Sequence, residues 1–105
     1  MEGMKMKTLV DFTNLDGRVY VYLKTRLLSS HFLQNAEDEG FTFCDGVLPT
    51  NRHESDIFAL NKDRTINYVG FCGHVAFQAA GTVSQQRLIK VDYERFLNGN
   101  VDFFI

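Results

Sequence analysis

At 105 residues, with 45% hydrophobic and 23% charged residues, the chain has the composition of one globular domain over residues 1–105, too short for two cores and too apolar for disorder. Its formal charge of −2 and pI near 5.8 argue against direct binding to a phosphate backbone. No run of 18 apolar residues exists to span a membrane, and no apolar stretch follows Met1–Lys7 to make a signal peptide. Two cysteines read as reduced thiols, so the expected compartment is the cytoplasm.

Residues 1–6 read as a candidate disordered arm. Lys7 to Phe12 mixes polar and apolar residues and is followed by the turn signal Asn14-Leu15-Asp16-Gly17. Arg18-Val19-Tyr20-Val21-Tyr22-Leu23-Lys24 alternates β-branched and aromatic residues, with Val19, Val21 and Leu23 on one face. The two runs suggest an N-terminal hairpin, the first run reading equally well as a loose arm. A helix then starts between Thr25 and Ser30. Its apolar stripe is Leu28, Phe32, Leu33 and Ala36, and Gly40 supplies the left-handed position that ends it.

Phe41-Thr42-Phe43-Cys44 reads as a short strand ended by Asp45-Gly46, and Val47 to Ser55 as a polar loop around Pro49, the only proline. Asp56–Asn61 and Thr65–Gly70, joined by Lys62-Asp63-Arg64, read as a β-hairpin. Gly70 to Gly81 reads two ways: Phe71, Val75, Ala76 and Ala79 suit a short helix bracketed by Gly73 and Gly81, the favoured reading, and the same residues could continue a strand. Arg87–Asp92 reads as a strand and Tyr93–Leu97 as a last helical turn before Asn98-Gly99-Asn100. The apolar ending Val101-Asp102-Phe103-Phe104-Ile105 is expected to pack on the sheet or near Phe32, the rival being an edge for homodimerisation. The assembled expectation is α+β: an antiparallel sheet of four to five strands, with one main helix on a face and one or two short helices. With ten Phe, four Tyr and no Trp, much of the core should be phenylalanine.

Charge is distributed unevenly along this framework. From Glu37 to Asp56, six acids face the single cation Arg52, a net of −5, whereas residues 1–36 sum to +2 and residues 57–105 to +1. Glu37, Asp38 and Glu39 fall in the last turn of the main helix, where the helix dipole disfavours anions by a few tenths of a kcal/mol each. Glu37, Asp38, Glu39, Asp45 and Asp56 are therefore the candidate partner-binding residues, weighed against an ordinary solvated helix end.

Other chemistry is weaker. Cys44, His53, Cys72 and His74 are the only soft-ligand set, and their spacing, one residue between Cys72 and His74 and nine positions from Cys44 to His53, departs from zinc-site spacing. A Cys72–His74 nucleophile and base would share a face only in a strand. Gly70-Phe71-Cys72-Gly73 lacks both phosphate-loop patterns. An RNA platform would rest on Tyr20, Tyr22 and Tyr68, whose simpler role is to cover a sheet face. No metal, cofactor or catalytic residue is assigned.

The stretch Ala36-Glu37-Asp38-Glu39-Gly40-Phe41-Thr42-Phe43-Cys44-Asp45-Gly46 resembles a phrase in small uncharacterised proteins of phages and conjugative elements of gut clostridia and their relatives. So do Asp56–Asn61, Thr65–Gly70 and Gly73-His74. The resemblance covers most of residues 19–105 and carries no functional residue with it. It implies a mobile-element accessory protein, a class that includes anti-CRISPR proteins with acidic surfaces. The expected function is a non-enzymatic protein-binding module that inhibits a host defence nuclease, its partner being a nucleic-acid-binding effector. The alternatives are a small cysteine- or metal-dependent enzyme and an RNA-binding regulator.

Overall fold

Among the described residues six short strands form one mixed sheet in the order β2-β4-β3-β1-β6-β5. The structure is a computed structural model that describes residues 8–70, 74, 75, 77, 78, 82, 83, 86–99 and 102–105. Residues 1–6, Lys7, Phe71, Cys72, Gly73, Ala76, Ala79, Gly81, Asn100 and Val101, on which sequence expectations fell, lie outside that set. In chain order the elements are α1 (Leu9–Phe12), β1 (Arg18–Tyr22), α2 (Arg26–Asp38) and β2 (Thr42–Phe43). A 3₁₀ turn (Pro49–Asn51) precedes β3 (Ile57–Leu60), β4 (Thr65–Tyr68), β5 (Thr82–Val83), β6 (Gln86–Asp92) and α3 (Tyr93–Leu97).

The α+β class stands, but the sheet is not antiparallel throughout. The β3–β4 hairpin and the β1–β3 and β5–β6 pairs are antiparallel, whereas β1 runs parallel to β6 and β2 parallel to β4. Alternation along a strand reports which residues face the core, and that pattern is identical for either strand direction. Gly17 marks the start of the parallel β1–β6 pair. Its φ is +152°, and a Cβ there would lie 2.5 Å from the Arg87 carbonyl oxygen, so only glycine permits the approach.

The N-terminal hairpin is also corrected: residues 9–12 form α1, not a strand. Leu9 and Phe12, three apart, are both fully buried, and the Glu39 carboxylate accepts hydrogen bonds from the Leu9 and Val10 amides at 3.0 and 2.9 Å. A side chain thirty residues away thus satisfies the free donors of a helix too short to persist alone.

Helix α2 follows its expected pattern. The Thr25 hydroxyl accepts from the Leu28 amide at 3.1 Å, while Phe32, Leu33 and Ala36 are buried and Leu28 packs against them. Gly40, at φ +88°, ends the helix, and the Phe41 amide reaches back to the Ala36 carbonyl at 2.9 Å. The helix lies over one face of the sheet, contributed by Val19, Val21, Phe43, Phe58, Leu60, Ile66, Ile89 and Val91. Phe32 stacks on Phe58 at 5.4 Å and meets Tyr93 edge-on at the same distance.

The alternate residues of the same strands make the second face. There Tyr20, Ile57, Ala59, Val69 and Leu88 form a smaller cluster joined by Tyr22 and Phe77. His74, Val75, Phe77 and Gln78 are helical, in keeping with the short helix expected after Gly70. Beyond this cluster the second face is polar, with Arg18, Asn61, Thr65 and Asn67 set side by side across β1, β3 and β4.

The tail packs on the sheet as expected, along β6, while its buried ring meets Phe12 and Phe96 and not Phe32. Phe103 is buried against Phe12 and Phe96, and the Asp92 amide donates to its carbonyl at 2.7 Å. Phe104 pairs with Val91, and the Ile105 amide donates to the Lys90 carbonyl at 2.9 Å. Their side chains remain 42% and 60% exposed, so only one of the three terminal residues is a core residue.

Candidate functional site

The acids of the −5 segment are not a single face. Ser29 on α2 is buried, its hydroxyl donating to the Ser55 carbonyl at 2.8 Å, which seats Asp56 beside the first turn of the helix. Glu37, Asp38 and Glu39 lie two helical turns further on, about 12 Å along the axis at 1.5 Å per residue. The 3₁₀ turn packs beside that end of α2, held there by Glu37. One Glu37 carboxylate oxygen accepts from the Thr50 amide at 3.1 Å and from its hydroxyl at 2.6 Å.

Three of the acids have cationic partners. Asp45 pairs with Arg52, whose guanidinium lies 4.9 Å over the Phe43 ring. Glu54 pairs with Arg26 at 3.3 Å and also accepts from the Ser30 hydroxyl. Asp56 meets His74 Nε2 at 2.8 Å, and His74 Nδ1 faces the Gly70 carbonyl at 3.0 Å. Both imidazole nitrogens therefore look at acceptors, which favours the doubly protonated ring. The His74 bond holds Asp56 below its ordinary pKa, and the Asp56 bond raises that of His74.

The other three carboxylates bond only neutral donors. Glu37 takes Thr50, Asp38 takes the Gln34 side-chain amide at 2.9 Å, and Glu39 takes the α1 amides. Among the described residues none of the three has a cation within ion-pair distance. The Thr50 hydroxyl and amide lower the Glu37 pKa and keep it ionised. The end of α2 therefore carries three negative charges that its hydrogen bonds hold in place without cancelling.

The other candidate chemistries separate in space. Cys44 is exposed, with its thiol toward the Thr65 hydroxyl, and the His53 ring stacks on Tyr68 at 5.2 Å. Among the described residues no three His, Cys, Asp or Glu side chains are placed to hold a metal. Cys72 lies outside those residues. The RNA platform is not exposed: Tyr20 is 5% accessible, Tyr22 lies against Phe77, and Tyr68 packs among Phe43, Phe58 and His53.

Two polar groups escaped the sequence reading. Tyr93 is fully buried, and its hydroxyl meets His31 Nδ1 at 2.8 Å and accepts from Asn35 at 3.1 Å, joining α3 to α2. Burial pushes the Tyr93 pKa up to about 12, so the phenol stays protonated. The second is the polar row of Arg18, Asn61 and Asn67; the alternation of Asn61, Thr65 and Asn67 around the hairpin was its only signal in the sequence.

Comparison of the chain with protein-family models, with curated proteins and with solved structures gave no match. No helix among the described residues is long and apolar enough to cross a membrane.

Proposed function

We propose that this chain is a non-enzymatic protein-binding module of a mobile genetic element that presents the acidic end of α2 to a basic surface on a partner. In its specific form the partner is a host defence nuclease, and the chain acts in the cytoplasm as an anti-CRISPR-like inhibitor. The observation that carries the reading is the trio Glu37, Asp38 and Glu39, charged and held in place, with no cation paired to any of them among the described residues. A nuclease channel built for phosphates offers the complementary sign. Asp45 is paired with Arg52 and Asp56 with His74, so neither adds an unpaired charge to the trio.

The test is DNA cleavage by a panel of clostridial CRISPR effectors with and without the protein, at low and high salt. The wild type is expected to slow at least one effector at low salt, with weaker effect as salt rises. A double variant, Glu37→Gln with Asp38→Lys, should relieve that inhibition without lowering the thermal midpoint, because glutamine still offers Thr50 an acceptor. If no effector is slowed, the nuclease reading is wrong. If the double variant inhibits as well as the wild type, the acidic helix end is not the contact.

A further inference from the structure

The polar half of the second sheet face is concave. A cavity of about 530 Å³ opens there, in the size range of small-molecule sites. Arg18, Asn61, Thr65 and Asn67 border it from the strands, Cys44 from the end of β2, and Lys62 from the β3–β4 turn.

A line of hydrogen bonds fixes its polarity. Asn67 donates its side-chain amide to the Tyr68 carbonyl at 2.9 Å, and its oxygen accepts from the Asn61 amide at 2.8 Å. The Asn61 oxygen accepts in turn from Arg18 at 2.8 Å. Each amide is thereby oriented, and the line ends on the Arg18 guanidinium, which uses one donor of its five among the described residues. The Tyr20 ring lies 5.9 Å from the same guanidinium and supports it. Arg18 is half-buried, yet among the described residues no carboxylate is within ion-pair distance of it or of Lys62. The Lys62 ammonium is anchored on the Thr13 and Leu15 carbonyls. The acid on the rim among the described residues, Asp63, already accepts from the Thr65 amide at 3.2 Å and hydroxyl at 2.6 Å.

A preset, half-buried arginine and a second cation, neither matched by an anion among the described residues in a chain of net negative charge, make a receptor for an oxyanion. We infer that this groove binds a small polar metabolite through a phosphate or carboxylate group held by Arg18 and Lys62, with the rest of the ligand against Asn61, Asn67 and Thr65. The proposal is independent of the partner surface at the end of α2.

Calorimetric titration of the full chain with adenosine monophosphate, citrate and inorganic phosphate separates the two headgroups. Saturable 1:1 binding of adenosine monophosphate but not citrate identifies a phosphate site, and the reverse a carboxylate site; either supports the proposal. Arg18→Gln should weaken that binding roughly tenfold to a hundredfold, the worth of a charge-assisted bond. Arg26→Gln, which removes an arginine already paired with Glu54, should leave it unchanged. The Asn61 and Asn67 side-chain amide resonances should shift on titration and give the same site without relying on a variant. If none of the three ligands saturates below about 10 mM, a concentration at which the free energy of binding is under about 3 kcal/mol, the proposal is overturned. It is equally overturned if both arginine variants weaken binding alike, which would mark general attraction to positive charge.

Discussion

The two faces of the sheet are built from alternate residues of the same strands and are finished in opposite ways. On the first, Val19, Val21, Phe58, Leu60 and Ile66 lie under three helices and the tail, in a core rich in phenylalanine. On the second, the apolar cluster covers part of the sheet, and the remainder is a ladder of arginine and amide side chains bonded to one another across three strands. A face meant only to meet water would not need its amides locked in one orientation. The first face therefore stabilises the fold, and the second is where the fold can spend residues on recognition.

Breaking the comparison should cost most on the first face. Phe32→Ala removes a fully buried ring that stacks on Phe58 and abuts Tyr93, and is expected to cost about 3–5 kcal/mol in urea unfolding. The matched change on the second face, Phe77→Ala, removes a half-buried ring and should cost about 1–2 kcal/mol. Equal losses would mean that the two clusters contribute alike and that the asymmetry is one of area alone.

Removal of residues 103–105 tests where the first face ends. Loss of the buried Phe103 and of its backbone bond to β6 should destabilise the domain by roughly 2–4 kcal/mol, independently of protein concentration. If full-length and shortened chains unfold together and only the longer one dimerises, Phe104 and Ile105 form an interface instead.

The smallest expected effect is on pH dependence at the Asp56–His74 contact beside the second face. Asp56 has its folded pKa lowered from 3.8, so its share of stability is present above that value and lost as pH falls through the lowered one. His74 has its folded pKa raised from 6.5, so its share is present below 6.5 and lost as pH rises through the raised value. The contact should therefore be strongest between about pH 4 and 6.5. Both groups are partly exposed to solvent, so the difference in midpoint between pH 5.5 and 8.5 should be small, and His74→Gln should remove it. A wild-type midpoint that rises from pH 5.5 to 8.5 by more than that of the variant would reverse the assignment.

Features governed by neighbouring residues were legible in the sequence. The stripe of Phe32, Leu33 and Ala36 with Gly40 after it gave α2 correctly, and the two apolar runs around Lys62-Asp63-Arg64 gave the β3–β4 hairpin. What escaped depended on distant partners. Helix α1 exists because Glu39 reaches its amides, and no local pattern in four residues announces that. Strand direction leaves no mark on alternation, so the parallel β1–β6 and β2–β4 pairs were missed. The acids of the candidate site were visible as a charge excess, but their partners were not. Arg52, Arg26 and His74 neutralise Asp45, Glu54 and Asp56, and a count along the chain cannot tell a paired carboxylate from a free one.

The parallel pairing of β1 with β6 has a consequence in time. Val19 sits beside Ile89, seventy positions further along, and β1 is the strand on which both halves of the sheet meet. A nascent chain can close α2 and the β3–β4 hairpin early, since each needs only nearby residues. One flank of β1 must wait until β6 has been synthesised, and the entropy of so long a loop is opposed only when that contact forms. Until then Val19 and Val21 belong to an unprotected strand edge, open to another nascent copy or to a chaperone.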